Sequence, residues 1–216
     1  VDPAALERLR RAIHHLLRSP AAAPPATGPE RRREDLESTV KRFIIEETGV
    51  LGAQAAIRGG IPARNPYFTG REDLIGTLHR TLRQQQRASV LPETALYGFG
   101  GVGKTQIAIE FAYRHAASYQ LIWWIPAEDP ATVRASLAAL ADRLGLPISG
   151  NMEQTVRSAL DALASTTSLT WLLVYDNADD PASLEHLVPS TGGHVLVTSR
   201  NPAWAAASPV LEVDIF

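Results

Sequence analysis

The sequence predicts an α/β fold: a doubly wound parallel sheet of five strands flanked by helices, with a helical extension at its N-terminal side. Three observations predict it. From Pro66 onward, short apolar runs alternate with stretches of helical periodicity. Three of these runs lead to Asp129-Pro130, Asp180-Pro181 and Asn201-Pro202, pairs that open helices, because proline inside a helix costs about 3 kcal/mol and at its first turn costs little. The third observation is the run Gly98-Phe-Gly-Gly-Val-Gly-Lys-Thr105, set between an apolar stretch and a helical pattern. Each helix start follows a strand end, and such sheets bind ligands beyond the carboxyl ends of their strands.

The elements follow in order. Asp2-Pro3 opens a helix with Leu6, Leu9, Ile13, Leu16 and Leu17 at helical spacing, ending near Arg18. Residues 19–30 are rich in Pro and Ala, a linker composition. A second helical pattern runs from Arg31 to Glu47 on Leu36, Val40, Phe43, Ile44 and Ile45; its Arg31-Arg-Arg33 run is surrounded by acids and reads as a solvated face. Thr69-Gly-Arg-Glu72 has the spacing of a capping box before a helix carrying Leu74, Ile75, Leu78 and Leu82. The predicted strands are Thr94 to Tyr97, Leu121 to Ile125, Trp171 to Tyr175, His194 to Thr198 and Val210 to Val213. Helices are expected from Gln106 to His115, from Asp129 to Leu144 before Gly145, and from Met152 to Leu163.

Composition narrows the chemistry. A net charge of −2 over 216 residues gives no reason to expect a nucleic-acid or membrane partner, and no apolar run approaches the ~20 residues that span a bilayer. With no cysteine there is no disulfide framework, thiol catalysis or cysteine-bound zinc, which fits a cytoplasmic setting. His14-His15 matches no metal-binding spacing and reads as a surface pair. A chain that opens on Val1 and stops at Phe216, just after a strand-like run, reads as part of a longer protein.

The glycine-rich run is a complete G-x-x-x-x-G-K-T phosphate-binding loop, so the sheet is expected to be that of a P-loop NTPase. Gly98, Gly100, Gly101 and Gly103 let successive N–H groups turn inward toward phosphate oxygens, and the helix behind them offers its positive end. Val102, Lys104, Thr105 and Gln106 complete the contact set. Lys104 brings a point charge to the β- and γ-phosphates and Thr105 a hydroxyl for Mg²⁺. Lysine otherwise occurs only at Lys41, so this chain uses Arg wherever charge alone is wanted. The apolar strand Trp171-Leu-Leu-Val-Tyr-Asp176 ends on a carboxylate suited to organising Mg²⁺, which makes Asp176 the second metal-side residue. Arg200, beyond the strand ending Thr198-Ser199, is placed to sense the terminal phosphate. No N-K-x-D-like guanine reader follows the loop, so adenine nucleotides are expected.

Taken together, Phe68-Thr-Gly-Arg-Glu72, the phosphate loop, Trp123-Trp124, the strand ending at Asp176 and Gly193-His-Val-Leu-Val-Thr-Ser-Arg200 occur in the order found in NB-ARC domains, the signal-transduction ATPases of the STAND class. The chain resembles that family from Ile61 to Phe216, and especially its bacterial, actinobacterial-like members that continue into tetratricopeptide repeats. The resemblance implies an N-terminal extension over residues 1–60 and a nucleotide-binding domain over 61–216, without the downstream helical and winged-helix parts. It implies an ATP/ADP switch with Mg²⁺, flanking domains as partners in the same chain, and a homo-oligomer when ATP is bound. Phe68 and Arg71 would border the adenine and ribose, Lys104, Asp176 and Arg200 would carry the chemistry, and Thr105 and Asp176 would hold the metal. The family's strand end is a pair of acids, whereas Asn177 follows Asp176 here. An amide is a poor proton acceptor, so slow hydrolysis is expected, with Asp179 as the substitute acid and Asn177→Asp as a change that raises the rate. A turnover ATPase or kinase, and a helical adaptor with nucleotide as structural ligand, are the alternative readings.

Overall fold

The structure, a computed structural model, describes residues 56–88, 93–148, 150–166 and 169–214. The two helices expected before residue 48 and the 19–30 linker lie outside the described residues. Six parallel strands form one sheet in the order β1-β3-β4-β5-β2-β6: β1 is Ile57–Gly59, β2 Glu93–Tyr97, β3 Leu121–Pro126, β4 Trp171–Asp176, β5 His194–Ser199 and β6 Val210–Glu212. The main helices are α1 (Glu72–Ala88), α2 (Lys104–Arg114), α3 (Pro130–Arg143) and α4 (Met152–Ser165), with a single turn, α5, at Trp204–Ala207. No helix among the described residues is long and apolar enough to cross a membrane.

Side chains on successive residues of a strand point to opposite faces, and both faces of this sheet are covered. Trp171, Leu173 and Tyr175 of β4 pack toward Val133, Leu137 and Leu140 of α3 and Val156 and Leu163 of α4. Leu172 and Val174 pack toward Ile75, Leu78 and Leu82 of α1 and Ile107 and Phe111 of α2. A strand apolar at every position therefore has to be central, which is what its near-continuous Trp-Leu-Leu-Val-Tyr run requires.

The sheet has one strand more than the five expected. β1 is only Ile57-Arg58-Gly59, with no apolar alternation to betray it, and it takes in residues ahead of Ile61. Tertiary contacts hold it: the Arg58 guanidinium donates to the carbonyls of Ala116 (2.6 Å) and Tyr119 (2.9 Å), and the Trp123 ring lies within 2.1 Å of where a Cβ on Gly59 would stand. Three helix starts also differ. The Thr69 to Glu72 spacing forms no capping box, because Gly70 (φ 76°) and Arg71 (φ 62°) are left-handed and α1 begins at Glu72. Asp180-Pro181 opens only the 3-10 turn Pro181–Leu184, and Asn201-Pro202 leads only to α5, whereas Asp129 caps the long α3 by accepting from Ala131 and Thr132 N–H at 2.9 Å. Capping chemistry sets where a helix starts; the apolar face behind it sets how long it runs.

Glu72 is used elsewhere. Together with Glu110 of α2 it engages Arg114, whose Nε lies 2.5 Å from Glu110, while Arg64 forks onto both Glu110 oxygens at 2.9 Å. This network fastens the 61–71 segment and the first turn of α1 to α2. The Arg64 hydrogen bond, with Arg114 adding, outweighs burial and holds the Glu110 carboxyl down at about 2, from an ordinary value near 4.5. A depressed carboxylate stabilises the fold fully above its unfolded value, and the stabilisation is lost as pH falls from about 4.5 toward 2. Glu110→Gln is therefore expected to cost about 2 kcal/mol at neutral pH. Thermal melts should show the gap to the parent closing below pH 4.

Candidate functional site

The carboxyl ends of β2, β3, β4 and β5 bring the site together. Beyond Tyr97 the loop turns through Gly101 (φ 82°) and Gly103 (φ 93°), conformations open to glycine at little cost. A Cβ at either position would meet nothing within 4 Å, so backbone conformation rather than space demands glycine there. Gly103 is the N-cap of the 11-residue α2 and gives its first turn no side-chain cap. The N–H groups of that turn are left for an anion. Lys104 is buried, and its Nζ donates to the carbonyls of Gly98 and Phe99, both at 2.8 Å. Two of its three donors thus brace the loop. Burial lowers the ammonium's pKa below the usual lysine value, the charge of Arg200 lowers it further, and Asp176 opposes them.

Asp176 closes β4 and meets α2 directly: the Thr105 hydroxyl donates to its Oδ1 at 2.8 Å. Thr198 of β5 donates to the same oxygen at 2.5 Å and accepts the Asn177 N–H at 2.9 Å. The three elements thereby fix one carboxylate oxygen. Asn177 itself is left-handed, at φ 61°, a conformation asparagine adopts more readily than most residues. Its carboxamide nitrogen donates to Glu128 Oε1 at 3.2 Å. Asp179, the acid offered by the sequence, lies exposed beyond Ala178, which is itself buried and donates to the Thr198 carbonyl at 2.9 Å.

Arg200 is exposed, yet its guanidinium carbon and Nη1 stand 3.7 Å from the place a Cβ on Gly100 would occupy. It lies over the loop. Val102 is half-buried against the α1–α2 side of the core, and Gln106 is exposed on the first turn of α2. Phe68 packs against the same part of the core, with the Arg114 guanidinium 5.9 Å from its ring centre. Arg71 donates to the carbonyl of Asp214 and so joins the 61–71 segment to the chain beyond β6. Lys104, Thr105, Asp176 and Arg200 are therefore brought together at one sheet edge, while Phe68 and Arg71 serve a neighbouring wall. Sequence reasoning missed Thr198 as the clamp on Asp176 and Glu128 as a member of the cluster. The available signal was position: Glu128 stands at the carboxyl end of the strand beside that of Asp176.

These groups fit a magnesium–nucleotide. Thr105 and Asp176 put two hard oxygens 2.8 Å apart, as Mg²⁺ takes together with phosphate oxygens and water, and the uncapped glycine loop suits a polyphosphate. A groove of about 610 Å³ against α4, lined by Arg134, Arg157, Asp161, Glu185 and His186 among others, includes none of the loop residues.

No protein-family model matches the chain. Among curated proteins it is 28% identical over 174 residues to a "Nucleotide-binding leucine-rich repeat (NLR)-like protein" of Hyaloscypha variabilis, covering 70% of this chain and 18% of the relative. It is 34% identical over 155 residues to "Regulatory protein AfsR" of Streptomyces griseus, covering 65% of this chain and 15% of that protein. The chain thus spans less than a fifth of the length of these relatives. Among solved structures, the Aeropyrum pernix ORC2 protein, in ADPNP–ADP complexes, superposes with a TM-score of 0.50 at 14% identity, over 71% of this chain and 50% of that one; this likeness supports the fold. With the phosphate loop and the parallel sheet in view, the chain has the fold of a P-loop NTPase and is similar over about two thirds of its length to these NLR-like and AfsR regulatory proteins.

Proposed function

We propose that this domain is a cytoplasmic ATP/ADP switch, holding ADP when off and Mg²⁺–ATP when on, that hydrolyses ATP slowly and passes its state to flanking effector or repeat domains. The observation that supports the reading best is Arg200, one residue beyond β5, lying against Gly100 of the loop; in this reading it contacts the terminal phosphate. In this reading the loop N–H groups and Lys104 hold the phosphates, Thr105 and Asp176 hold the metal, and Phe68 and Arg71 border the base and ribose. Bound Mg²⁺ supplies charge neutralisation at the phosphate oxygens. A switch passing from 1:99 to 99:1 needs about 5.5 kcal/mol of differential binding, more than one arginine contributes, so flanking repeats and self-association in the ATP state would supply the rest.

Arg200→Ala is expected to weaken ATP more than ADP, since loss of a charge-assisted hydrogen bond costs about 1.5–3 kcal/mol, or ~10- to 150-fold. Calorimetry with both nucleotides, and mass spectrometry of nucleotide released from freshly purified protein, test the reading. Equal losses for ATP and ADP would remove Arg200 as the sensor. Protein that binds neither nucleotide would end the switch reading.

A further inference from the structure

The position where the family has its second acid is Asn177, yet a carboxylate stands beside it. Glu128 belongs to the adjacent strand's exit, and its backbone is pinned on both sides. Ala127 N donates to the Asp176 carbonyl at 2.7 Å, in continuation of the β3–β4 pairing of Pro126 with Asp176, and Asp129 is locked as the N-cap of α3. Glu128 is thus held next to Asp176 by the sheet itself. Its side chain is exposed, and the Asn177 carboxamide donates to Oε1 at 3.2 Å. A carboxylate only accepts, so this contact turns the Asn177 nitrogen toward Glu128, and leaves Glu128 its second oxygen. Asn177 is in turn fixed by its own N–H on Thr198, the residue that clamps Asp176.

We infer that Glu128 is the general base for ATP hydrolysis in this domain and that Asn177 positions it. The inference rests on the reading of the loop as an ATP site. Glu128 takes a proton from a water molecule while the water oxygen bonds to the γ-phosphorus and the bond from phosphorus to the β,γ-bridging oxygen breaks. ADP leaves with that electron pair, and the proton passes from Glu128 to solvent as inorganic phosphate departs. The acid is supplied by the neighbouring strand rather than by the residue after Asp176, and the amide is there to hold it. Consequently the expectation drawn from the sequence for Asn177→Asp reverses in sign: a carboxylate at 177 would face Glu128 across the 3.2 Å now spanned by the hydrogen bond and drive it away.

The test uses the full chain, five single variants and one double variant. Glu128→Gln keeps an acceptor for Asn177 and loses the base, so single-turnover hydrolysis should fall on the order of 10²-fold while calorimetric affinities for ADP and a slowly hydrolysed ATP analogue stay within about twofold. Asn177→Gly, which accepts the left-handed backbone, should lower the rate about tenfold with the same affinities, and should add nothing in the Glu128→Gln background, as expected of residues acting as one unit. Asn177→Asp should lower the rate as well. In nucleotide-free protein the Asn177 side-chain ¹H–¹⁵N resonances should move in Glu128→Ala and stay in place in Asp179→Ala. Unchanged hydrolysis in Glu128→Gln, a faster Asn177→Asp, or an additive double variant would each overturn the inference. Failure of the parent to bind nucleotide would instead be failure of the ATP-site reading.

Discussion

Lys104→Ala is expected to weaken ATP and ADP binding about 100-fold or more while leaving the domain folded. The lysine is buried, but what it touches is the loop's own carbonyls, at Gly98 and Phe99, rather than the apolar core. In the proposed reading, removing it takes away charge-assisted hydrogen bonds to phosphate, each worth about 1.5–3 kcal/mol, and leaves the carbonyls of buried Gly98 and exposed Phe99 without this donor, a cost confined to the loop. The loop would also lose its internal brace, which adds to the loss of affinity through disorder in the free state. Calorimetry reads the first effect, and circular-dichroism melts separate it from unfolding. Parent-like binding of both nucleotides would show that this loop is not the phosphate site.

The largest structural effect is expected from Gly193→Ala, at about 3 kcal/mol of lost stability. Gly193 lies just ahead of β5, and a Cβ there would stand 2.4 Å from both the Trp171 ring and the Trp171 carbonyl oxygen. The backbone oxygen cannot rotate out of the way. Trp171 is itself fully buried, and its indole N–H is committed to the Leu163 carbonyl at 3.0 Å, so relief means shifting the start of β4 against α4. Overpacking of this kind costs about 1–3 kcal/mol, and a backbone neighbour puts this site at the upper end. Denaturant unfolding measures it. By contrast Gly150, where a Cβ meets nothing within 4 Å and no positive φ is required, should accept alanine with little change.

Much of this site was legible before any coordinate. The identities and spacing of Gly98 to Thr105 carry their chemistry locally, because a phosphate cradle is made from consecutive N–H groups and the helix that follows them. The strand ending at Asp176 was readable from its unbroken apolar run, and its meeting with Thr105 follows once two parallel strands end at the same sheet edge. The edge strand Ile57–Gly59 was not readable, since three residues including Arg58 and Gly59 have no periodicity, and the reasons they are held lie at Ala116, Tyr119 and Trp123.

The amino-acid sequence by itself determined the class of sheet, the place of the nucleotide loop and the polar residues at the ends of its strands, all of which depend on neighbours within about a dozen positions. Only the tertiary structure decided which of those ends face one another. Asn177 and Glu128 are 49 residues apart in the chain and meet because β3 and β4 pair in parallel register from Leu121 with Trp171 to Pro126 with Asp176. Read along the chain, an amide after Asp176 is a missing acid. Read across the sheet, it is the donor that holds an acid from the next strand, since register, unlike composition, is set by the packing of both faces of the sheet at once.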